Sequence, residues 1–188
     1  MITKGGIIMK KSLITLLAVF VIITAFVAGC GGSSPEPKKE KPAAPVKICT
    51  VAGIGDTIDE WIKDHGKPNR DNGLVKNFKN DDLLVAIPDK RAWNITIQAE
   101  DLNDADKYVK NMVPKDGKFI SEKTTKDGMV TTVEKEYTSE TLKLVVKSNL
   151  TGHYSVSELK DSKTNRHISY VIDCTPSLQE IQKAKEAK

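Results

Sequence analysis

Three histidines, three cysteines and several paired carboxylates are the residues of this chain whose types could carry chemistry. Transition-metal sites draw imidazoles and thiolates from short, regular spacings. His65, His153 and His167 lie far apart, and none belongs to an HExxH, an HxH or a Cys/His pair at zinc spacing. The pattern therefore predicts no metal site and no cofactor. His65 falls on the apolar face of an expected helix, at its C-terminal end, where the helix dipole favours an imidazolium; its expected role is structural. There is no G-x-S-x-G elbow, no P-loop, no dinucleotide fingerprint and no S-x-x-K paired with a K-T-G box. No catalytic residue can be named on these grounds, which lowers the expectation of an enzyme without removing it.

The carboxylates come in two sets, Asp81-Asp82 and Asp101, Asp104, Asp106. Either could be offered as calcium ligands or as an acid/base pair, but the EF-hand spacing is missing. The first set sits in an expected hairpin turn and the second around an expected helix start, where exposed amides and the dipole favour negative charge. Local structure accounts for both. Trp61, Trp93, Tyr108, Tyr137, Tyr154 and Tyr170 could line a groove for a glycan or peptide, although aromatics at helix and strand positions more often form core. Tyr154 and Tyr170 lie on adjacent expected strands and are candidates for a cross-strand pair.

One cysteine has a distinct context. Lys10 and Lys11 precede an apolar run from Ser12 to Val27, followed by small residues, which is the layout of a secretory signal. Val27-Ala28-Gly29-Cys30 resembles the lipobox of bacterial lipoproteins: an aliphatic residue, a small residue, Gly or Ala, then Cys. The resemblance implies that Cys30 carries lipid on its sulfur and becomes the first residue after cleavage. An uncleaved membrane helix is the competing reading, since the run approaches the ~20 residues a bilayer requires. The small-residue cleavage context and the polar sequence after Cys30 favour the lipid anchor. Met9 is the more typical start for such a signal than Met1. Gly31 is not the Asp that retains such lipoproteins in the inner membrane of two-membrane bacteria, so an outer-membrane or surface location is open. A bacterial lipoprotein has no use for the N-glycosylation patterns at Asn94 and Asn149.

Cys49 and Cys174 then remain as an even pair in an exported domain. A disulfide joining the two is the natural reading; closing a loop of about 125 residues, it would contribute up to ~4–5 kcal/mol in the chain-entropy model. Two buried free thiols, or one catalytic thiol, are the alternatives.

The elements that must position these residues follow from periodicity. The 188 residues hold 29 Lys+Arg against 25 Asp+Glu, a net +4, with 39% hydrophobic and 29% charged, which suits one modest globular domain. Three of the lysines and no acid lie in residues 1–29, the expected signal peptide, and residues 30–45 form a Pro/Lys/Glu-rich tether with no large apolar residue. The expected domain, 46–188, carries 23 basic and 23 acidic side chains. With no surplus positive charge or basic stripe, nucleic acid is not an expected partner.

Val46–Val51 alternates and predicts a first strand. Thr57-Ile58-Asp59-Glu60 is a capping box, opening a helix over 58–65 that Gly66 and Pro68 end. Strands are expected at 74–79, 83–87 and 92–98, then a helix capped by Asn103 with Ala105, Tyr108, Val109 and Met112 on one face. Strands at 118–125 and 129–137 flank Lys126-Asp127-Gly128, a hairpin signal. Thr141–Ser148 alternates Leu142, Leu144 and Val146 against Lys143 and Lys147 and predicts another strand. Strands at 153–160 and 166–174 and a polar helix from Ser177 complete an α+β domain, mainly antiparallel sheet with two short core helices. The order allows two unequal helix-plus-meander halves.

Gly55-Asp56-Thr57, with the helix ending His65-Gly66-Lys67-Pro68, resembles the Gly-x-Thr…Gly-x-Pro opening of small bacterial lipoproteins of the SmpA/OmlA and β-lactamase-inhibitor-like kinds. The functional expectation is a membrane-anchored, non-catalytic binding or envelope-assembly module whose partners are the membrane, through Cys30, and an envelope protein or wall polymer. An envelope enzyme or inhibitor is the alternative.

Overall fold

In the computed structural model, residues 47–98 and 105–186 are described. Cys30, the tether, Asp101, Asn103 and Asp104 lie outside them. The chain enters through an irregular segment and turns into helix α1 (Ile58–His65) at a complete capping box: Thr57 Oγ1 accepts from Glu60 N, and the Glu60 carboxylate accepts from Thr57 N at 2.8 Å. The helix buries Trp61 and His65 and ends at Gly66, whose φ of 83° suits a residue without Cβ. Strands β1 (Arg70–Asp71), β2 (Val75–Phe78), β3 (Leu83–Ala86) and β4 (Asn94–Ile97) follow as a meander, and α2 (Ala105–Asn111) opens the second half. There, β5 (Lys118–Asp127) and β6 (Val130–Thr138) form a long hairpin, α3 (Glu140–Val145) interrupts, and β7 (His153–Asp161) and β8 (His167–Asp173) complete a second meander before α4 (Leu178–Glu186).

All eight strands make one antiparallel sheet in the order β1-β2-β3-β4-β8-β7-β6-β5. Each half is thus a helix followed by four strands, joined at the last strand of each, with Asn94 opposite Asp173 and Ile97 opposite Tyr170. The halves are unequal because β5 and β6 run to ten and nine residues against two and four in β1 and β2. Side-chain alternation sends Phe78, Leu83, Val85, Ile95, Ile97, Ile172 and Tyr154 to the helix side of the sheet, where they are buried with Trp61, Ile54 and Met112. Full burial of each such aliphatic side chain is worth about 1.5–3 kcal/mol.

Two expected strands are not strands. Residues 47–56 form a loop in which neighbouring Ile48 and Cys49 are both buried, so no alternation exists. Its amides pair with the end of α2 rather than with a sheet: Thr50 N and Val51 N donate to Asn111 O, each at 3.0 Å, and Ile54 N donates to Met112 O. The Asp56 carboxylate holds the loop shut, accepting from Ile48 N at 2.8 Å and from Gly53 N at 3.0 Å. At Gly53 a Cβ would overlap the Met112 backbone, which makes the glycine a requirement of this crossing.

The second correction is α3, in place of a strand over 141–148. A strand would bury Leu142, Leu144 and Val146 together. Instead Leu142 and Val146, four apart, are buried, while Leu144 is 75% exposed. Ser139 caps this helix by accepting from Leu142 N at 3.0 Å, and Asp116 accepts from Ser139 Oγ, Thr141 N and Thr141 Oγ1. Burial pushes the Asp116 carboxyl up, but these donors outweigh it and hold it below its ordinary value.

Candidate functional groove

The inner sheet face is covered unevenly. Over β6 and β7, and at Tyr170 of β8, α2 and the irregular chain leading to β5 stand off from the sheet. A groove of about 620 Å³ remains there. Its floor is read off the register: Tyr137 lies opposite Tyr154, Lys135 opposite Val156, and Val133 opposite Glu158, which in turn faces Tyr170 on β8. Val109, Lys110, Val113, Pro114 and Lys115 line its other wall, with Asp106 at the Tyr170 end and Gly117 at the Tyr154 end.

At one end the rings of Tyr137 and Tyr154 stack, with centroids 5.1 Å apart and planes 11° from parallel, and Phe119 meets Tyr137 edge-on at 5.7 Å. Phe119 is 59% exposed, so the aromatic cluster leads from the surface into the groove. A Cβ at Gly117 would overlap Tyr154 Oη, so this glycine lets the ring reach its place. Tyr154 therefore pairs with Tyr137 rather than with Tyr170 as expected, because the β7–β8 register sets Glu158 against Tyr170.

At the other end Tyr170 Oη donates to Asp106 Oδ1 at 2.6 Å, tying α2 to the sheet. Glu158 stands between Lys160 Nζ at 3.0 Å and His167 Nδ1 at 3.5 Å, and the His167 ring lies 4.4 Å from that of Tyr170. Burial, then the hydrogen bond to Asp106, pushes the Tyr170 hydroxyl well above its ordinary value. Burial does the same at Tyr154, followed by the nearby Tyr137. Both hydroxyls stay protonated at neutral pH; that of Tyr170 donates to Asp106, and that of Tyr154 can donate to an acceptor in the groove. The groove thus offers an apolar floor, phenolic donors and ammonium groups, which are contacts for holding a ligand.

The remaining candidates take structural places. His65 is buried, and its Nε2 donates to Ala52 O at 2.8 Å. Burial lowers its pKa, overriding the favourable helix end, so the ring is neutral rather than the expected imidazolium. His153 is half-exposed, 4.0 Å from Glu136. Asp81, in the turn after β2, accepts from Asn77 and from Asn69 just before β1. Trp61 is fully buried and donates to Gly53 O. Asn149 is buried too, donating to His153 O and Cys174 O.

Cys49 and Cys174 are both buried and are not bridged to each other in the structure. Cys49 Sγ faces Ile54 O at 3.3 Å and Met112 O at 3.4 Å, while Cys174 Sγ is 4.0 Å from Ala92 O. Burial pushes both thiol pKa values up and disfavours the thiolate. Among the described residues no cluster of three or more His, Cys, Asp or Glu is placed to hold a metal ion.

Sequence reasoning missed Lys110, Lys115, Lys135 and Glu158. The signal was present at Lys135 and Glu158, each a charge at an inward position of an otherwise apolar alternation. No known protein family, curated protein or solved structure matches the chain.

Proposed function

We propose that this protein is an exported bacterial lipoprotein, held to a membrane by lipid on Cys30, whose domain is a non-catalytic binding module serving an envelope protein or a wall polymer. The observation that carries the binding half is the groove: an open channel of valines and tyrosines edged by ammonium groups. The anchoring half rests on Val27-Ala28-Gly29-Cys30 and the polar tether behind it.

Expression in a bacterial host with an alkyne-palmitate probe tests the anchor. Wild-type protein becomes labelled, whereas Cys30→Ser is unlabelled and keeps its precursor mass; a labelled, normally processed Cys30→Ser protein refutes it. Complementation of a deletion strain tests the rest. His153→Ala and His167→Ala support growth or envelope integrity fully, and Cys30→Ser poorly. Loss of complementation by His167→Ala at normal protein level, with the unanchored form active, would favour an envelope enzyme built on the Tyr170–Asp106–Glu158–His167 cluster.

A further inference from the structure

The charges on the groove do not balance. Its charged lining is Asp106, Glu158 and three lysines. Both carboxylates are already engaged, Glu158 by Lys160 and Asp106 by the Tyr170 hydroxyl, a neutral donor that leaves the Asp106 charge in place; three lysines against two carboxylates leave a net +1 in the lining. The ammonium groups are not engaged in this way: among the described residues Lys110 and Lys115 form no ion pair, and Lys135 meets Glu122 only at 3.7 Å, with both side chains nearly half exposed. The surplus is local, because the domain as a whole is neutral, with 23 basic and 23 acidic side chains in residues 46–188. Like charges gathered on one concavity raise the local potential and draw an anion.

Two further features define what kind of anion. The span between the Tyr137–Tyr154 pair and the Val133–Glu158 pair is four residues of strand, roughly 13 Å, and its floor offers Val133 and Val156 between the charged Lys135 and Glu158, so the body of the ligand is short and apolar where it meets the valines. Tyr154 lines the groove and its hydroxyl makes no hydrogen bond among the described residues, which leaves it available to an acceptor. Building on the binding-module reading, we propose that the groove binds a small organic anion: a short apolar body, aliphatic or aromatic, ending in a carboxylate or phosphate. The apolar body lies against Val133 and Val156, and the head is held by the lysine ammoniums.

The test uses the full chain in phosphatidylcholine nanodiscs with 4-phenylbutyrate and phenyl phosphate as probes, read by the valine methyl resonances of Val133 and Val156. Saturable shifts are expected with both anions, and binding at least about tenfold weaker with 4-phenylbutylamine and 4-phenylbutanol. Lys135→Glu, at an exposed side chain, lowers anion affinity about tenfold and raises that of the amine; Lys115→Glu repeats the effect from the opposite wall, and Lys63→Glu, outside the groove, leaves it unchanged. Equal binding of the amine or alcohol overturns the proposal, as does indifference to both groove substitutions. Shifts that appear only in nanodiscs containing phosphatidylglycerol, with none from the free anions, overturn it in favour of a headgroup contact. None of these outcomes touches lipid labelling at Cys30, so failure here is separable from failure of the anchor.

Discussion

Replacing Asp56 by alanine isolates the lock on the 47–56 loop. The carboxylate is fully buried and satisfies two backbone donors, Ile48 N and Gly53 N. Truncation leaves both buried without a partner, at about 1–3 kcal/mol each. An opposing effect exists, because burial raises the Asp56 pKa and removal of the charge relieves that desolvation. The raised pKa shows that the donors do not fully compensate the charge, so the relief offsets part of the loss. A net destabilisation of about 3 kcal/mol follows. With a urea slope of about 2 kcal/mol/M, the midpoint falls by about 1.5 M at unchanged slope. The assay is equilibrium unfolding of the Ala43–Lys188 unit at pH 7, followed by Trp61 fluorescence, since the indole donates into this same loop at Gly53 O. Asp56→Asn, which keeps one acceptor, falls between wild type and alanine. A loss below about 0.5 kcal/mol, or a gain, would refute the reasoning and show that the cost of burying the carboxylate outweighs its two hydrogen bonds.

His65 predicts a second effect, on pH dependence. Its folded-state pKa lies below the unfolded value of about 6.5, so the unfolded chain binds the proton more readily and stability declines as pH falls through that value; urea midpoints from pH 7.5 to 5.5 should show the decline, and His65→Gln should flatten it. For Cys49 and Cys174, protein taken from the envelope, denatured without reductant and alkylated, should yield a Cys49–Cys174 cross-linked peptide if export oxidises the pair. Two alkylated cysteines under the same conditions would leave them as the buried thiols the structure holds.

What the sequence revealed depended on whether local chemistry or distant contacts decided each element. The capping box at Thr57–Glu60 and the glycine at the 126–128 turn specify their elements from within a few residues, and α1 and the β5–β6 hairpin formed where expected. At Thr141–Ser148 two periodicities competed over a short stretch, and strand alternation looked stronger than the i, i+4 pair of Leu142 and Val146. The winner was set by Asp116, more than twenty residues away, holding the start of α3. The 47–56 loop was illegible for the same reason, since its hydrogen bonds end at Asn111 and Met112. The groove combines both cases. Its tyrosines were visible as candidates, but the pairing of Tyr154 with Tyr137 depends on register, and the lysines gain meaning only when α2 is laid over β6 and β7.

The mirror-like strand order also has a kinetic side. Within each half every pairing is between sequence neighbours, so β1–β4 and β5–β8 close small loops that form fast. The seam between β4 and β8 joins segments about 75 residues apart, the slowest kind of contact to find. β8 is also made after the other seven strands. Until it arrives, β4 presents an open edge bearing Ile95 and Ile97, the surface most prone to wrong pairing. A chain that crosses a membrane before folding would bring β8 to that edge in the same compartment and in one passage, leaving the seam as the step that commits both halves to a single sheet.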